Sequence, residues 1–248
     1  MRRFSVSVDN KSISVIEGFK VPIFYIHGSG GDAEIWKNQL EEIGGYAIDL
    51  PNHGHSEKAD IRTMDDYAYF VAEIVKKVAG KGIVVGHSLG GAIAQKVYLN
   101  QKEVVKALVL AGTGARLRVL PSVLEGLKNN PLETAKLVAD VAFYRKEFVE
   151  QFSKLFEERT EILLKDLQLC DAFDLLNDFK VGRVKFDVPT LALVGEKDFL
   201  TPLKYSEFFT QYGAELKVIS NSGHMVMLEN PNEFNAELKK FISHLKSI

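Results

Sequence analysis

Short apolar runs without alternation constrain this chain more than any other feature. Val21-Pro22-Ile23-Phe24-Tyr25-Ile26, Ile83-Val84-Val85 and Thr190-Leu191-Ala192-Leu193-Val194 place apolar side chains at consecutive positions. A strand with one wet face alternates; an unbroken run suits a strand buried on both faces of a parallel sheet. Tyr46 to Leu50, Val104 to Leu110 and Leu216 to Ile219 add further strand segments. Between them lie helical spacings. Met64 to Val78 repeats apolar residues at Tyr67, Phe70, Val71, Ile74, Val75 and Val78, with Thr63 as cap and Asp65 and Asp66 in the first turn. A second helix is predicted from about Gly90 to Leu99 and a last one from about Asn232 to Leu245. This rhythm predicts a doubly wound, mostly parallel α/β sheet with helices on both faces. A hairpin precedes it: Phe4 to Val8 and Ser12 to Glu17 alternate around the turn Asp9-Asn10-Lys11.

The rhythm breaks between Gly112 and Val184. Pro121 to Lys128, Pro131 to Phe143, Lys146 to Glu157 and Thr160 to Leu176 each carry an apolar stripe, and no strand pattern interrupts them. Residues 1–112 and 185–248 are therefore expected to form the α/β core, with 113–184 an inserted helical cap over the carboxyl edge of the sheet. The alternative is a helical bundle packed on the side of the core, away from any site.

At 248 residues, with 46% hydrophobic and 26% charged residues, the chain can bury a substantial core and is not disordered in bulk. Its formal net charge of -2 gives no overall attraction to nucleic acid or to an anionic membrane, so neither is expected as a partner. Cys170 is the only cysteine, which excludes an intrachain disulfide; its apolar neighbours suggest a buried structural thiol. The start, Met1-Arg2-Arg3 followed by an alternating strand, lacks a secretory apolar region, and no stretch approaches the ~20 apolar residues of a membrane span. A cytoplasmic protein is the expectation, with monomer and homodimer both open.

The densest local signal is Gly86-His87-Ser88-Leu89-Gly90-Gly91, set between a buried strand and a helix. A serine at such a sharp turn projects its hydroxyl outward, glycines relieve the crowding two positions either side, and the helix N-terminus favours a developing oxyanion. Three other loops follow strands: His27-Gly28-Ser29-Gly30-Gly31 with Trp36 beyond it, Asp49-Leu50-Pro51-Asn52-His53-Gly54-His55-Ser56, and Gly195-Glu196-Lys197-Asp198-Phe199-Leu200-Thr201-Pro202. A fourth is Asn221-Ser222-Gly223-His224 with Glu229-Asn230-Pro231 after it.

Over nearly its whole length the chain resembles the α/β-hydrolase family, in the compact branch of carboxylesterases, monoglyceride-lipase-like enzymes and C–C bond hydrolases. The one departure in these loops is Asn52, where the family usually carries glycine. The resemblance implies Ser88 as nucleophile, His224 as base and Asp198 as orienting acid, in the chain order of this fold. It implies an oxyanion hole from the backbone N–H groups of Ser29 and Leu89, with Gly28 and Trp36 also at the substrate. Glu196 and Asp187 compete with Asp198 as acid. His27 and His87 are expected to support the site from behind, and His53 and His55 have no carboxylate cluster to make them a metal site.

A serine at this position weighs against haloalkane dehalogenases and epoxide hydrolases, which need a carboxylate there. The expected activity is that of a cofactor-free carboxylesterase acting on small to medium esters through an acyl-enzyme. The apolar residues Leu117, Leu120, Leu124, Leu127, Val138, Phe143, Phe148, Phe152 and Phe156 are candidates for an acyl pocket. A C–C hydrolase on the same triad is the alternative, with Arg116 available for a substrate carboxylate or merely a surface cation. Thioesterase, lactonase and perhydrolase chemistry also fit the scaffold, and a slow-turnover ligand receptor is the reading from another class.

Overall fold

A computed structural model describes residues 1–245. The chain opens with β1 (Arg2–Val8) and β2 (Lys11–Glu17), joined by Asp9 and Asn10 at φ 48° and 62°. Positive φ at both central positions is the turn whose twist matches a hairpin, so the register Val8↔Lys11 is set locally. β3 (Ile23–Ile26), α1 (Lys37–Glu42), β4 (Tyr46–Ile48), α2 (Met64–Ala79), β5 (Gly82–His87), α3 (Leu89–Asn100) and β6 (Val105–Ala111) follow in alternation. Helices α4 (Pro121–Asn129), α5 (Pro131–Ala142), α6 (Val149–Glu158), α7 (Thr160–Ala172) and α8 (Leu176–Lys180) come next. The chain then returns to the sheet with β7 (Thr190–Gly195), α9 (Leu203–Thr210), β8 (Ala214–Ile219), α10 (Val226–Glu229) and α11 (Pro231–Leu245).

The strands form one eight-stranded sheet in the order β1-β2-β4-β3-β5-β6-β7-β8, parallel from β4 to β8. The absence of alternation has a direct cause. In β3, Ile23 and Tyr25 enter the core on one face with Leu40 of α1 and Phe234 of α11, while Phe24 and Ile26 enter the other with α2 and α3, all fully buried. α2 begins at the predicted cap: Thr63 Oγ1 accepts from Asp66 N at 3.3 Å, and Asp66 Oδ2 accepts from Thr63 N at 2.7 Å. No described helix is long and apolar enough to cross a membrane.

Strand order reverses at β3. The chain leaves it for β4 on one side and comes back through α2 to β5 on the other. Loops after β3 and β5 therefore diverge to opposite faces and leave a crevice between them, the place where open α/β sheets bind ligands. The strand-to-helix turn there is very tight. A Cβ on Gly86 would lie 2.1 Å from Gly90 O, and one on Gly90 would lie 2.4 Å from Ile26 O.

The helical stretch differs from its expectation in two places. Residues 146–148 form a separate 3₁₀ turn before α6. The helix expected to run on to Leu176 stops at Ala172, because residues 173–175 pair with the other edge of the insertion. Leu117 N donates to Phe173 O at 3.3 Å and Leu175 N to Ala115 O at 2.7 Å. Asp174 Oδ1 then accepts from Leu176 N at 3.0 Å and starts α8. Apolar spacing cannot register such a neck, since its two halves lie far apart in sequence.

Gly86→Ala tests the tight turn. The overpacking costs about 1–3 kcal/mol, which for a chain of this size is a fall in Tm of roughly 2 to 12 °C. Scanning calorimetry giving an unchanged Tm would mean that the Gly90 carbonyl yields freely.

Candidate active site

The carboxyl ends of β5, β7 and β8 deliver the three residues expected from their loops. Ser88 sits between β5 and α3 at φ 53° and ψ -115°, a strained backbone for a non-glycine residue. Its carbonyl is held by Thr113 Oγ1 at 2.8 Å and by Gly91 N at 2.9 Å. Asp198, in the loop after β7, is buried with Oδ2 3.0 Å from His224 Nδ1. Leu200 N and Thr201 N donate to Oδ1 at 2.9 and 2.8 Å, and Thr201 Oγ1 donates to Oδ2 at 2.8 Å. Burial works against ionisation of this carboxyl, but His224 and the Thr201 donors outweigh it and hold the group below the usual carboxylate range.

His224 is fixed from three sides. Its N–H donates to Ala142 O at 2.9 Å, its carbonyl accepts from His87 Nε2 at 2.9 Å, and its ring is held by Asp198. With Nδ1–H directed at the carboxylate, Nε2 carries the lone pair, and His224 and Ser88 line the same cavity. Ser88 Oγ and Nε2 are not hydrogen-bonded in this structure, a looseness common before a substrate binds. The rival acids lie elsewhere: Glu196 is exposed against Lys197 at 3.2 Å, and Asp187 bonds Tyr98 and Lys102.

Around the serine, the N–H groups of Leu89 and Ser29 donate to no other group among the described residues. Gly28 packs so closely that a Cβ would stand 2.8 Å from His87 Nδ1 and 3.2 Å from Ser88 Cβ. Trp36 corrects its expectation. Its indole is fully buried against Tyr25 and Phe234, with ring centroids 5.1 and 6.1 Å away, and the cavity is lined instead by its neighbour Ile35. The 3₁₀ turn Ala33–Trp36 aims consecutive side chains in different directions, so the indole belongs to the core beneath the loop.

Of the apolar candidates, Val138, Phe152 and Phe156 line the cavity, joined by Leu163 and Leu167, which apolar spacing alone does not distinguish from the rest of their helix. Arg116 is a surface cation at the neck, 3.8 Å from Asp174, and does not line the cavity. Cys170 is buried, and burial pushes its thiol up to about 12. Asn52, at φ 72°, keeps the left-handed turn that glycine would serve, with its side chain bonded to both Ala59 N and Ala59 O at 3.1 Å.

Three buried histidines sit behind these loops in defined states. His87 uses Nε2–H on the His224 carbonyl, and burial lowers its pKa to about 3. His27 donates from Nδ1 to Gly28 O at 2.8 Å and accepts Leu50 N at Nε2 at 3.1 Å, so it is neutral; burial, with positive His53 beside it, lowers its pKa to about 4. His53 meets oxygens on both sides, Pro51 O at 3.0 Å and Asp166 Oδ2 at 2.9 Å, a pattern that imidazolium beside a carboxylate satisfies at both nitrogens. Burial would depress its pKa, but the Asp166 carboxylate raises it above the ordinary value. With both nitrogens so occupied, His53 offers nothing to a metal, and His55 lies exposed 3.8 Å from Asp49. The contacts of Asp166 and the charge of His53 emerge only from the fold, whereas Thr201, three residues past Asp198, carries a local signal in the chain.

Comparison with known proteins places these loops in a wider group. The profile of the Alpha/beta hydrolase family matches residues 23–237. A solved structure of a thermophilic esterase superposes with a TM-score of 0.96 at 52% identity, covering 98% of both chains. Lipase 3 of Moraxella sp. is 28% identical over 247 residues, covering 91% of this chain and 78% of its own. The dihydrolipoyllysine-residue acetyltransferase component of the acetoin cleaving system of Pseudomonas putida is 27% identical over 235 residues. The match takes in 89% of this chain but only 63% of that longer protein.

The charge state of His53 sets a pH dependence. A folded-state pKa above the unfolded value of 6.5 adds stability that is complete below pH 6.5 and lost as pH rises through the folded value. The Tm advantage of wild type over His53→Gln should therefore shrink from pH 6.5 upward by calorimetry. Below that pH the variant is destabilised by about 3–5 kcal/mol because Asp166 loses its partner. A parallel slope in both proteins would mean that His53 is neutral.

Proposed function

The chain belongs to the alpha/beta hydrolase family, and within it we propose a carboxylesterase that works through an acyl-enzyme on Ser88. The observation that carries this reading is the Asp198–His224 pair at 3.0 Å beside the strained Ser88, in an apolar chamber. The likeness to a thermophilic esterase and to Lipase 3 supports the same class of reaction.

Ser88 Oγ attacks the ester carbonyl while its proton passes to His224 Nε2, and Asp198 stabilises the imidazolium that results. The oxyanion forms where the N–H groups of Ser29 and Leu89 converge, the latter at the N-terminus of α3. Collapse expels the alcohol, which takes the proton from His224. Water, deprotonated by the same nitrogen, then releases the acid and restores Ser88.

The acyl side favours short chains. The cavity is a small one, about 60 Å³. Val138, Phe152, Phe156, Leu163 and Leu167 close it with carbon alone. The C–C hydrolase reading needs an anchor for a substrate carboxylate, and Arg116 stands away from the cavity on the surface.

Hydrolysis of p-nitrophenyl esters from acetate to palmitate tests both parts. Turnover should peak at the shortest chains, fall by about 10⁶-fold in Ser88→Ala and by about 10⁴-fold in Asp198→Asn. Phe152→Ala or Phe156→Ala should move the optimum to longer chains by opening the chamber wall. Clean folded protein with no turnover on any ester would remove the carboxylesterase reading.

A further inference from the structure

The insertion reaches the site through a second aspartate. Asp166, on α7, is fully buried, and three donors from the core converge on its carboxylate. Tyr67 OH donates to Oδ1 at 3.0 Å; His53 Nε2 and Gly30 N donate to Oδ2, each at 2.9 Å. The group therefore cannot rotate without losing a bond. Gly30 is gripped on its other side too: Arg159, at the start of α7, donates Nη1 to Gly30 O at 3.3 Å and Nη2 to Asp32 Oδ2 at 2.8 Å.

We propose that Asp166 is the positioning residue of the oxyanion loop, fixing the Gly30 peptide so that the Ser29 N–H faces the substrate oxygen. The path is short. Gly30 lies at φ 66°, a left-handed turn that glycine adopts without strain, and a Cβ there would stand 3.2 Å from Leu163 Cδ1. The turn brings Gly31 N to 3.1 Å from Gly28 O, which also accepts His27 Nδ1–H at 2.8 Å. That carbonyl belongs to the same planar, trans peptide as the Ser29 N–H, so holding one directs the other the opposite way. Releasing Gly30 from Asp166 frees the Gly31 N–H, and with it the tilt of the peptide that supplies the donor. Chain sequence gives no hint of this link, because Asp166 and Gly30 lie on different parts of the fold.

This inference rests on the Ser29 N–H being an oxyanion donor, and its test has one arm that does not need turnover. Asp166→Ala should lower kcat on p-nitrophenyl acetate by about 10²-fold, the scale of one misplaced donor, with KM within about threefold. Amide exchange over residues 27–31, read by mass spectrometry, should quicken in the same variant. Asp166→Asn keeps an oxygen for Gly30 N and should recover most of the kcat. Tyr67→Phe removes the partner of the other carboxylate oxygen and should leave kcat within about threefold. If Asp166→Ala does not accumulate folded, Asp166→Leu, closer in size and equally without an acceptor, takes its place.

Wild-type kcat in the folded Asp166→Ala protein, or unchanged exchange over residues 27–31, would overturn the proposal. An equal loss of kcat in Tyr67→Phe would also overturn it, since the effect would then be general loosening. Should wild type hydrolyse no ester, the serine reading fails on its own. The exchange arm would still decide the clamp, quickened exchange supporting it and unchanged exchange removing it.

Discussion

Close backbone contact at the end of β5 is the constraint on which the rest of the molecule turns. A serine at φ 53° is not stable by itself; it persists because strand, turn and helix are pressed together with no room to relax. Gly86 and Gly90 permit that pressure, since any side chain at either would strike a carbonyl oxygen. Once α3 starts immediately after Ser88, its first N–H groups are left without intrahelical acceptors. The same contact thus sets the serine hydroxyl and an unoccupied donor side by side. Strand order supplies the remainder: the reversal at β3 brings the His27–Gly31 loop to the same crevice.

The insertion between β6 and β7 is bonded to this arrangement rather than resting on it. Ala142 O, at the end of α5, accepts the His224 N–H. Glu229 carries its carboxylate into the same seam, where Oε1 accepts Gly223 N and Oε2 accepts Arg145 N, at 2.9 and 2.8 Å. Burial raises the pKa of that group, against the backbone donors that favour its charge. Asp166 and Arg159 hold the opposite side at Gly30. Buried polar contacts of this kind are costly to leave half-made, so displacement of the insertion would disturb both the histidine loop and the loop after β3.

Much of this is readable in the sequence, and the boundary of what is readable is physical. Unbroken apolar runs identify the central strands because burial on both faces leaves its mark residue by residue. The elbow, the acid loop and the histidine loop are readable because each is a local turn with its own chemistry. Trp36 misleads because position in a motif says nothing about which way a 3₁₀ turn aims its side chains. The neck at 173–175 and the bond from Asp166 to Gly30 depend on residues far apart in the chain. Neither periodicity nor a motif can report a contact that only the finished fold creates.

The two aspartate–histidine pairs show why geometry rather than residue type assigns a role. Asp198–His224 and Asp166–His53 have nearly the same separation, 3.0 and 2.9 Å, and both are buried. They differ at the second nitrogen. His53 Nδ1 is closed off by Pro51 O, so the ring holds its second proton between two acceptors and has no free lone pair to offer. His224 Nε2 meets no protein acceptor among the described residues and shares a cavity with Ser88, so its lone pair is free to accept a proton and return it. Neutral His27 lies with its ring centroid 4.8 Å from that of His53, and neutral His87 lies 4.7 Å from His224, both pairs tilted. Each pair therefore has an uncharged imidazole beside it. One carboxylate holds an imidazolium whose two nitrogens are both taken; the other, in the proposed reaction, prepares a base that gains and returns a proton.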